Sequence, residues 1–165
     1  MAQGDMFLMI QAATGVIKGE AQDEAQDKKH KDEIDVTDWS WGMQAKTALS
    51  GAGASPKATL NELRIVKSVD SASTALMSAM RNNEQIKKAV LTVRKAGGMP
   101  HEFFKISIQK GRITSLEVDT TSFTSTGRLT ETLSLAFQKI SVEYSPQGPR
   151  GFAGGGSMLF DAEIS

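Results

Sequence analysis

Hydrophobic and polar residues alternate with a period of two along most of this chain. The alternation is cleanest over residues 129–138, where the odd positions carry Leu, Glu, Leu, Leu and Phe and the even ones carry Thr, Thr, Ser, Ala and Gln. Successive side chains of a strand point to opposite faces of a sheet, so this segment predicts a strand with one buried face and one open face. Shorter runs predict further strands over residues 7–10, 32–43, 60–69, 87–94, 104–108, 113–118, 140–144 and 158–164.

One segment has the spacing of an amphipathic helix. It begins after Asp70, where Asp70, Ser71 or Ser73 can cap it, and it ends at Asn82. Apolar residues share one face of this helix at positions Ala72, Ala75, Leu76, Ala79 and Met80. Roughly eight or nine strands at spacings of about ten residues, with one helix, predict a mainly β fold: a small antiparallel β-barrel of two packed sheets with one flanking α-helix.

Both tryptophans lie in the segment 32–43, DEIDVTDWSWGM. If this segment is one alternating strand, Trp39 and Trp41 share a face, and two indoles on one face anchor it in packed protein. The opposite face would carry Ile34, Val36, Asp38 and Ser40. We therefore expect a strand with a packed side and a partly polar, open side.

Composition and charge exclude several classes of protein. A chain of 165 residues is most simply one domain over residues 1–165, and it can bury a sizeable core. There is no cysteine, which excludes disulfides, thiolate nucleophiles and cysteine–zinc sites. The 19 basic and 19 acidic residues balance, whereas a nucleic-acid-binding protein usually has a basic excess. We therefore expect no nucleic acid among the partners.

No segment predicts membrane insertion or a secretory signal. The apolar run over residues 6–10 is shorter than the ~7–15 residues of a signal-peptide core and follows no basic residue. No stretch approaches the ~20 apolar residues of a membrane span. If the protein leaves the cell, we expect a dedicated machine to export it.

Two polar segments are predicted to be loops. Residues 12–31 are polar and charged, which favours a solvated loop. Residues 44–57 include SGAGASP at 50–56, and such small residues cannot build a core, so we expect a long, mobile loop that acts as a contact arm. A phosphate-binding loop is excluded because no Gly-Lys-Ser/Thr follows these glycines.

Residues capable of metal chemistry are few. His30 lies near Asp27, Asp32 and Glu33, a set that could hold a divalent ion. A metal site needs fixed geometry and supporting hydrogen bonds, so the sequence favours a solvated surface histidine instead. His101 stands at the start of a predicted strand.

Catalytic groups are equally scarce. Arg128 and Glu131 could be a catalytic acid with its orienting residue, but a structural ion pair near a strand end is the favoured interpretation. The nucleophile motif Gly-x-Ser-x-Gly is absent. We expect a protein that is not an enzyme and has no cofactor and no bound metal.

Short motifs along most of the chain resemble the Hcp (haemolysin-coregulated protein) family, the tube subunit of type VI secretion machines. The motifs are KGE at 18–20, His30, IDV at 34–36, WSWG at 39–42, LTVRKAG at 91–97, RLTE at 128–131 and VEYSPQ at 142–147. Their order and spacing carry the resemblance. The chain departs from the family in lacking a longer glycine tract in the loop at 44–57 and a Gly-Trp pair near the end.

The resemblance implies a hexameric ring that stacks into tubes inside a contractile sheath, behind a spike protein. It implies a subunit that is cytoplasmic during assembly, is then secreted without a signal peptide, and carries effector proteins in the ring lumen. By this likeness Asp38 and Ser40 would face the lumen, with Trp39 and Trp41 as packing anchors. The ring-contact loop would supply Lys46, Thr47, Ser50, Gly51, Gly53, Ser55 and Lys57.

Two other functions stay open at this stage. A bacteriophage tail tube protein would share the barrel-and-ring architecture. A secreted effector enzyme could use the same fold for delivery, but it would normally need an appended catalytic domain.

Overall fold

The computed structural model describes residues 5–23, 29–45, 58–95, 101–120, 129–146 and 156–164, and these form twelve strands and one helix. The strands are β1 (Asp5–Ala12), β2 (Gly15–Ile17), β3 (Ile34–Asp35), β4 (Asp38–Ser40), β5 (Met43–Gln44), β6 (Thr59–Leu60), β7 (Leu63–Ser68), β8 (Ile86–Lys95), β9 (His101–Asp119), β10 (Thr130–Ala136), β11 (Lys139–Tyr144) and β12 (Met158–Glu163). The helix is α1 (Ser73–Arg81). The mainly β fold with a single helix is confirmed, and no helix in the described ranges is long and apolar enough to cross a membrane.

Two antiparallel sheets share strand β9. The first sheet has the order β2-β1-β8-β9-β11-β12, with β3 also paired to β1. The second sheet has the order β9-β10-β7-β4, while β5 and β6 form a separate two-stranded ribbon. Among the described residues the strand path is open, because β12 pairs only with β11 and β4 only with β7. Within these ranges the sheets do not close into the predicted barrel, so the barrel stays a prediction.

Strand β9 bends where it passes from one sheet to the other. Residues 101–111 pair with β8, and residues 112–119 pair with β10. At the bend Lys110 has a φ of 53°, in the left-handed region that non-glycine residues seldom adopt. A Cβ on the neighbouring Gly111 would lie 2.6 Å from the carbonyl oxygen of Ala136. The close approach of β10 to this bend therefore requires glycine.

The core lies between the two sheets and beneath α1. Strand positions alternate between buried and open as the sequence predicts, most clearly in β10, where Glu131, Leu133 and Leu135 are buried. Helix α1 contributes Leu76 and Ala79, and Ala72 just before it is also buried.

The helix differs from its prediction in two details. Ala75, expected on the buried stripe, is exposed, and Ser73 is buried instead. No side chain caps the helix at Ala72, although Asp70 Oδ1 accepts a hydrogen bond from the Ala72 N–H at 2.9 Å.

The single strand predicted over residues 32–43 is wrong. The Val36 N–H donates to the Met6 carbonyl of the first sheet, and the next N–H, that of Thr37, donates to the Val66 carbonyl of the second sheet. The chain changes sheets between these two residues and forms β3 and β4 separately. The buried side therefore reverses: Ile34 and Val36 lie in the core, whereas Asp38 and Ser40, expected to share their face, are exposed.

Candidate functional site

The side of the second sheet that faces away from the core is a surface of short polar side chains, which we call the polar face. Residues paired across antiparallel strands point to the same side, so the register defines three rows across the sheet. These rows are Ser40–Arg64–Ser134–Ser115, Asp38–Val66–Thr132–Glu117 and Ser68–Thr130–Asp119.

Period-two alternation in β7 and β10 produces the polar face. In β7, Leu63, Ile65 and Lys67 point inward and are fully buried, so Arg64 and Val66 must point outward. The open positions of β10 are Thr130, Thr132 and Ser134, which the alternation of the sequence predicts. The face is therefore a property of two whole strands and not of the tryptophan segment alone.

Asp38 and Ser40 both lie on the polar face and are exposed. Between them, Trp39 points inward and stacks on Phe104 of the first sheet, with ring centroids 5.5 Å apart and planes 20° apart. Trp41 also packs on the core, and its ring centroid lies 6.5 Å from that of Phe160 in β12. The indoles thus hold the short edge strand β4 against the core while its polar side chains stay outside.

The sequence reasoning missed most members of the polar face. Arg64, Ser115 and Glu117 come from strands that are distant in sequence from β4. The alternation of β7 alone would have shown that Arg64 is outward, but no local pattern shows which strands lie beside β4. Of the ring-contact loop, every predicted residue (Lys46, Thr47, Ser50, Gly51, Gly53, Ser55 and Lys57) lies outside the described residues.

A second polar cluster lies on the outer side of the first sheet, around His30. The prediction of a solvated His30 is wrong, because the residue is 4% exposed and its ring stacks on Phe7 at a centroid distance of 4.7 Å. Its Nδ1 lies 2.9 Å from Glu33 Oε1, and its Nε2 lies 2.9 Å from Glu102 Oε2. The imidazole therefore links its own segment to the start of β9.

The contacts between the imidazole and two carboxylates change the pKa values of His30 and Glu102. Burial lowers the pKa of His30, but hydrogen bonds to Glu33 and Glu102 and the charges of both raise it more, so the net pKa is raised. Burial raises the pKa of Glu102, yet its hydrogen bond to His30 and the charges of His30, Lys29 and Lys105 lower it overall. A doubly protonated imidazole can donate to both carboxylates at once, which is the arrangement that the geometry favours.

The segment around His30 is also less solvated than predicted. Residues Ala21 and Asp23 are buried, and β2 forms within the predicted loop. Asp23 Oδ1 accepts a hydrogen bond at 2.9 Å from Arg94, which also pairs with Asp5 at 2.8 Å. The buried ion pair of Asp23 with Arg94 of β8 therefore holds the segment around His30 on the first sheet.

The other residues that the sequence offered for catalysis or metal binding make contacts within the fold. Glu131 is fully buried, and its Oε2 pairs with Lys67 Nζ at 2.7 Å, while its proposed partner Arg128 lies outside the described residues. His101 Nε2 lies 2.8 Å from the carbonyl oxygen of Ser145. No group of three or more acidic, histidine or cysteine side chains that could hold a metal occurs in the described ranges.

One edge of the first sheet is both unpaired and apolar. Strand β12 exposes Met158 and Leu159, which are 66% and 61% accessible, and no described strand covers its outer edge. Beside it, a groove of about 610 Å³ lies between β12 and the β5–β6 ribbon, lined by apolar residues that include Met43, Leu60 and Phe160. An exposed, apolar edge strand is a ready surface for pairing with another chain.

Comparison with known families agrees with this architecture. The family described as "Type VI secretion system effector, Hcp" matches residues 7–144. The chain belongs to the Hcp family. Protein hcp1 of Pseudomonas aeruginosa is 33% identical over 163 residues, covering 97% of this chain and 94% of that protein.

Solved structures of the Hcp family have the same fold. A structure described as a type six secretion system protein has a TM-score of 0.83 at 25% identity, covering 98% of this chain and 96% of its own. Hcp1 from Salmonella typhimurium has a TM-score of 0.74 at 27% identity, covering 99% and 96% of the two chains. The predicted resemblance is confirmed: this Hcp-family chain is a tube component of type VI secretion, a class of structural, secreted proteins.

Proposed function

We propose that six copies of this chain close into a ring, that the rings stack into a tube, and that the polar face borders the central channel and holds effector proteins there. The spike protein and the contractile sheath of the secretion machine would be the other partners, and the tube would leave the cell with its cargo. The observation that carries the proposal is the apolar edge of β12, which pairs with no described strand on its outer side and is therefore open to a covering partner.

The arrangement of the two surfaces supports a ring. If the edge of β12 contacts a different surface of the next copy and leaves the polar face open, the contact is heterologous, and such a contact closes into a ring when its rotation angle permits. A stable contact needs to bury on the order of 800 Å² per partner. The exposed apolar residues of β12 and the adjoining groove supply a continuous surface for it.

The chemistry of the polar face supports passage of cargo. Six of the eleven side chains in its rows are serine or threonine, four are charged and one, Val66, is apolar. Short hydroxyl side chains remain hydrated and offer few apolar contacts, so cargo would not adhere through apolar surface, and any preference would come from the charged members of the face. The indoles behind β4 keep this surface in place when its outer side is solvated.

Sedimentation velocity and electron microscopy of the purified protein test the proposal. We expect hexamers and six-fold rings at concentrations on the order of tens of micromolar, where a contact of the size above would be populated. A protein that sediments only as a monomer under these conditions would contradict ring assembly.

A further inference from the structure

Arg64 occupies the middle of one row of the polar face. It lies between Ser40 of β4 and Ser134 of β10 and is exposed to solvent. The hydroxyl side chains on both sides are short, so the longer guanidinium group extends beyond them. It is therefore the group on this row that an approaching protein meets first.

The guanidinium of Arg64 has no hydrogen bond or ion pair within the part of the chain that the structure describes. The nearest acidic residue in sequence on the same side, Glu62, instead accepts a hydrogen bond from Thr114 Oγ1 at 2.7 Å. A guanidinium carries five N–H donors in a planar fork that matches a carboxylate. Arg64 is thus free to bind a carboxylate of another molecule.

The next row carries the opposite charge. Asp38 and Glu117 stand at its two ends, with Val66 and Thr132 between them, and both carboxylates are exposed. Asp38 is the diagonal neighbour of Arg64 across β4 and β7, a relationship that places the two side chains about 7–8 Å apart, whereas Glu117 lies two strands from Arg64 on the other side. A segment that is acidic throughout would be attracted by Arg64 but repelled by the neighbouring row.

We propose that Arg64 selects effectors by binding a carboxylate of the cargo protein, while Asp38 binds a basic side chain displaced from it by about 7–8 Å. The preferred cargo surface therefore presents an acidic and a basic residue two positions apart on an extended segment. This inference rests on the proposed function, because it takes the polar face as the surface that cargo contacts. Such pairing gives specificity by both attraction and repulsion.

Fluorescence anisotropy with labelled synthetic peptides tests the inference. Three extended peptides of equal length would carry a Glu and a Lys two positions apart, the Glu alone, or the Lys alone. We expect the mixed peptide to bind the wild-type protein most tightly at low salt. Arg64→Ser should weaken that binding about tenfold, as expected for loss of a charge-assisted hydrogen bond. Arg81→Ser, at the exposed end of α1, is the matched control and should change nothing.

Arg64→Lys adds a second measurement. Lysine keeps the charge but loses the planar fork, so binding of the mixed peptide should fall between the values of the wild type and Arg64→Ser. Equal affinity of the wild type and Arg64→Ser for all three peptides would overturn the inference, and so would the absence of saturable binding to the wild type.

Electron microscopy of the same samples separates this inference from the proposed function. Rings that form normally but bind peptides independently of Arg64 would leave the ring proposal standing and refute the role of Arg64. A protein that forms no rings but binds the mixed peptide through Arg64 would refute the ring proposal and support charge recognition by the polar face.

Discussion

Lys67 and Glu131 form an ion pair inside the protein, with Nζ 2.7 Å from Oε2 and both side chains fully buried. Lys67 Nζ also lies 2.9 Å from Asp70 Oδ1, and Ser73 Oγ donates to Glu131 Oε2 at 2.6 Å. The cluster joins β7, β10 and the start of α1 across a gap of 64 residues in sequence.

Removing one member of this pair should destabilise the fold strongly. Lys67→Met leaves the Glu131 carboxylate buried without its cation, so we expect the free energy of unfolding to fall by about 3–5 kcal/mol. Urea unfolding followed by circular dichroism measures this. The double variant Lys67→Met/Glu131→Leu should be more stable than Lys67→Met, since it removes the uncompensated charge. A single variant within about 0.5 kcal/mol of the wild type, the range of an ordinary surface change, would refute the argument.

The His30 cluster predicts a loss of stability above neutral pH. The folded protein raises the pKa of His30 above its ordinary value of about 6.5, so its contribution is complete below that pH and is lost as the pH rises through the raised pKa. The lowered pKa of Glu102 acts in the opposite direction, giving a contribution that is present above about pH 4.5 and is lost as the pH falls through the lowered pKa.

Thermal denaturation at a series of pH values checks this sign. The difference in Tm between the wild type and His30→Gln should be larger at about pH 5.5, between the two ordinary pKa values, than at about pH 8.5. His101→Gln is the control histidine change. A difference for His30→Gln that stays constant over this range would show that protonation of the imidazole contributes nothing.

Ser40→Gln should leave assembly intact and impair cargo loading. The side chain is exposed on the polar face, so a longer residue does not disturb the core but projects over the surface that we propose holds effectors. Co-purification with a co-expressed cognate effector measures loading, and microscopy measures ring formation. Ser78→Gln, on an exposed position of α1, is the matched control. Unchanged loading with Ser40→Gln would mean that cargo does not contact this row.

Leu159→Lys should prevent ring assembly without unfolding the subunit. Leu159 is exposed on β12, whose outer edge pairs with no described strand, and a lysine there would place a charge in the interface of apolar side chains that we propose. We expect sedimentation of monomers with an unchanged circular dichroism spectrum. Met77→Lys, which changes an exposed apolar residue of α1, should still form hexamers. Hexamers of Leu159→Lys would place the contact elsewhere.

Gly111→Ala should destabilise the bend of β9. The new methyl group would start 2.6 Å from the Ala136 carbonyl oxygen, a backbone atom that cannot move without shifting β10. Forcing extra volume into such a site typically costs about 1–3 kcal/mol, which denaturant unfolding would measure. At Gly42 the nearest atom to an added Cβ is Asn61 Nδ2 at 3.6 Å, so Gly42→Ala should have little effect. Equal stability of the two variants would contradict this account.

The local pattern of the chain predicted the helix and the positions of most strands, although it divided β9 into two strands at 104–108 and 113–118. In β10 the inward and outward positions follow directly from alternation, and Leu76 and Ala79 follow from helical spacing. Both periodicities arise from the geometry of a single element, so neighbouring residues suffice to recognise them.

Features that depend on pairing between distant segments were not predictable in the same way. His30 lies in a charged run, and its buried environment is completed by Glu102, which is 72 residues away. The break between β3 and β4 could, however, have been recognised from the local sequence. Apolar residues occupy even positions at Ile34 and Val36 and odd positions at Trp39 and Trp41, a shift that one continuous strand does not explain.

The passage of β9 through both sheets has a mechanical consequence. Its 19 residues contribute hydrogen bonds to the ladders of β8, β11 and β10, so a load applied to either sheet reaches the other through continuous covalent backbone. Opening one ladder would distort the strand on which the other is built, so we expect amide hydrogens on both sides of Gly111 to exchange with solvent in one cooperative event.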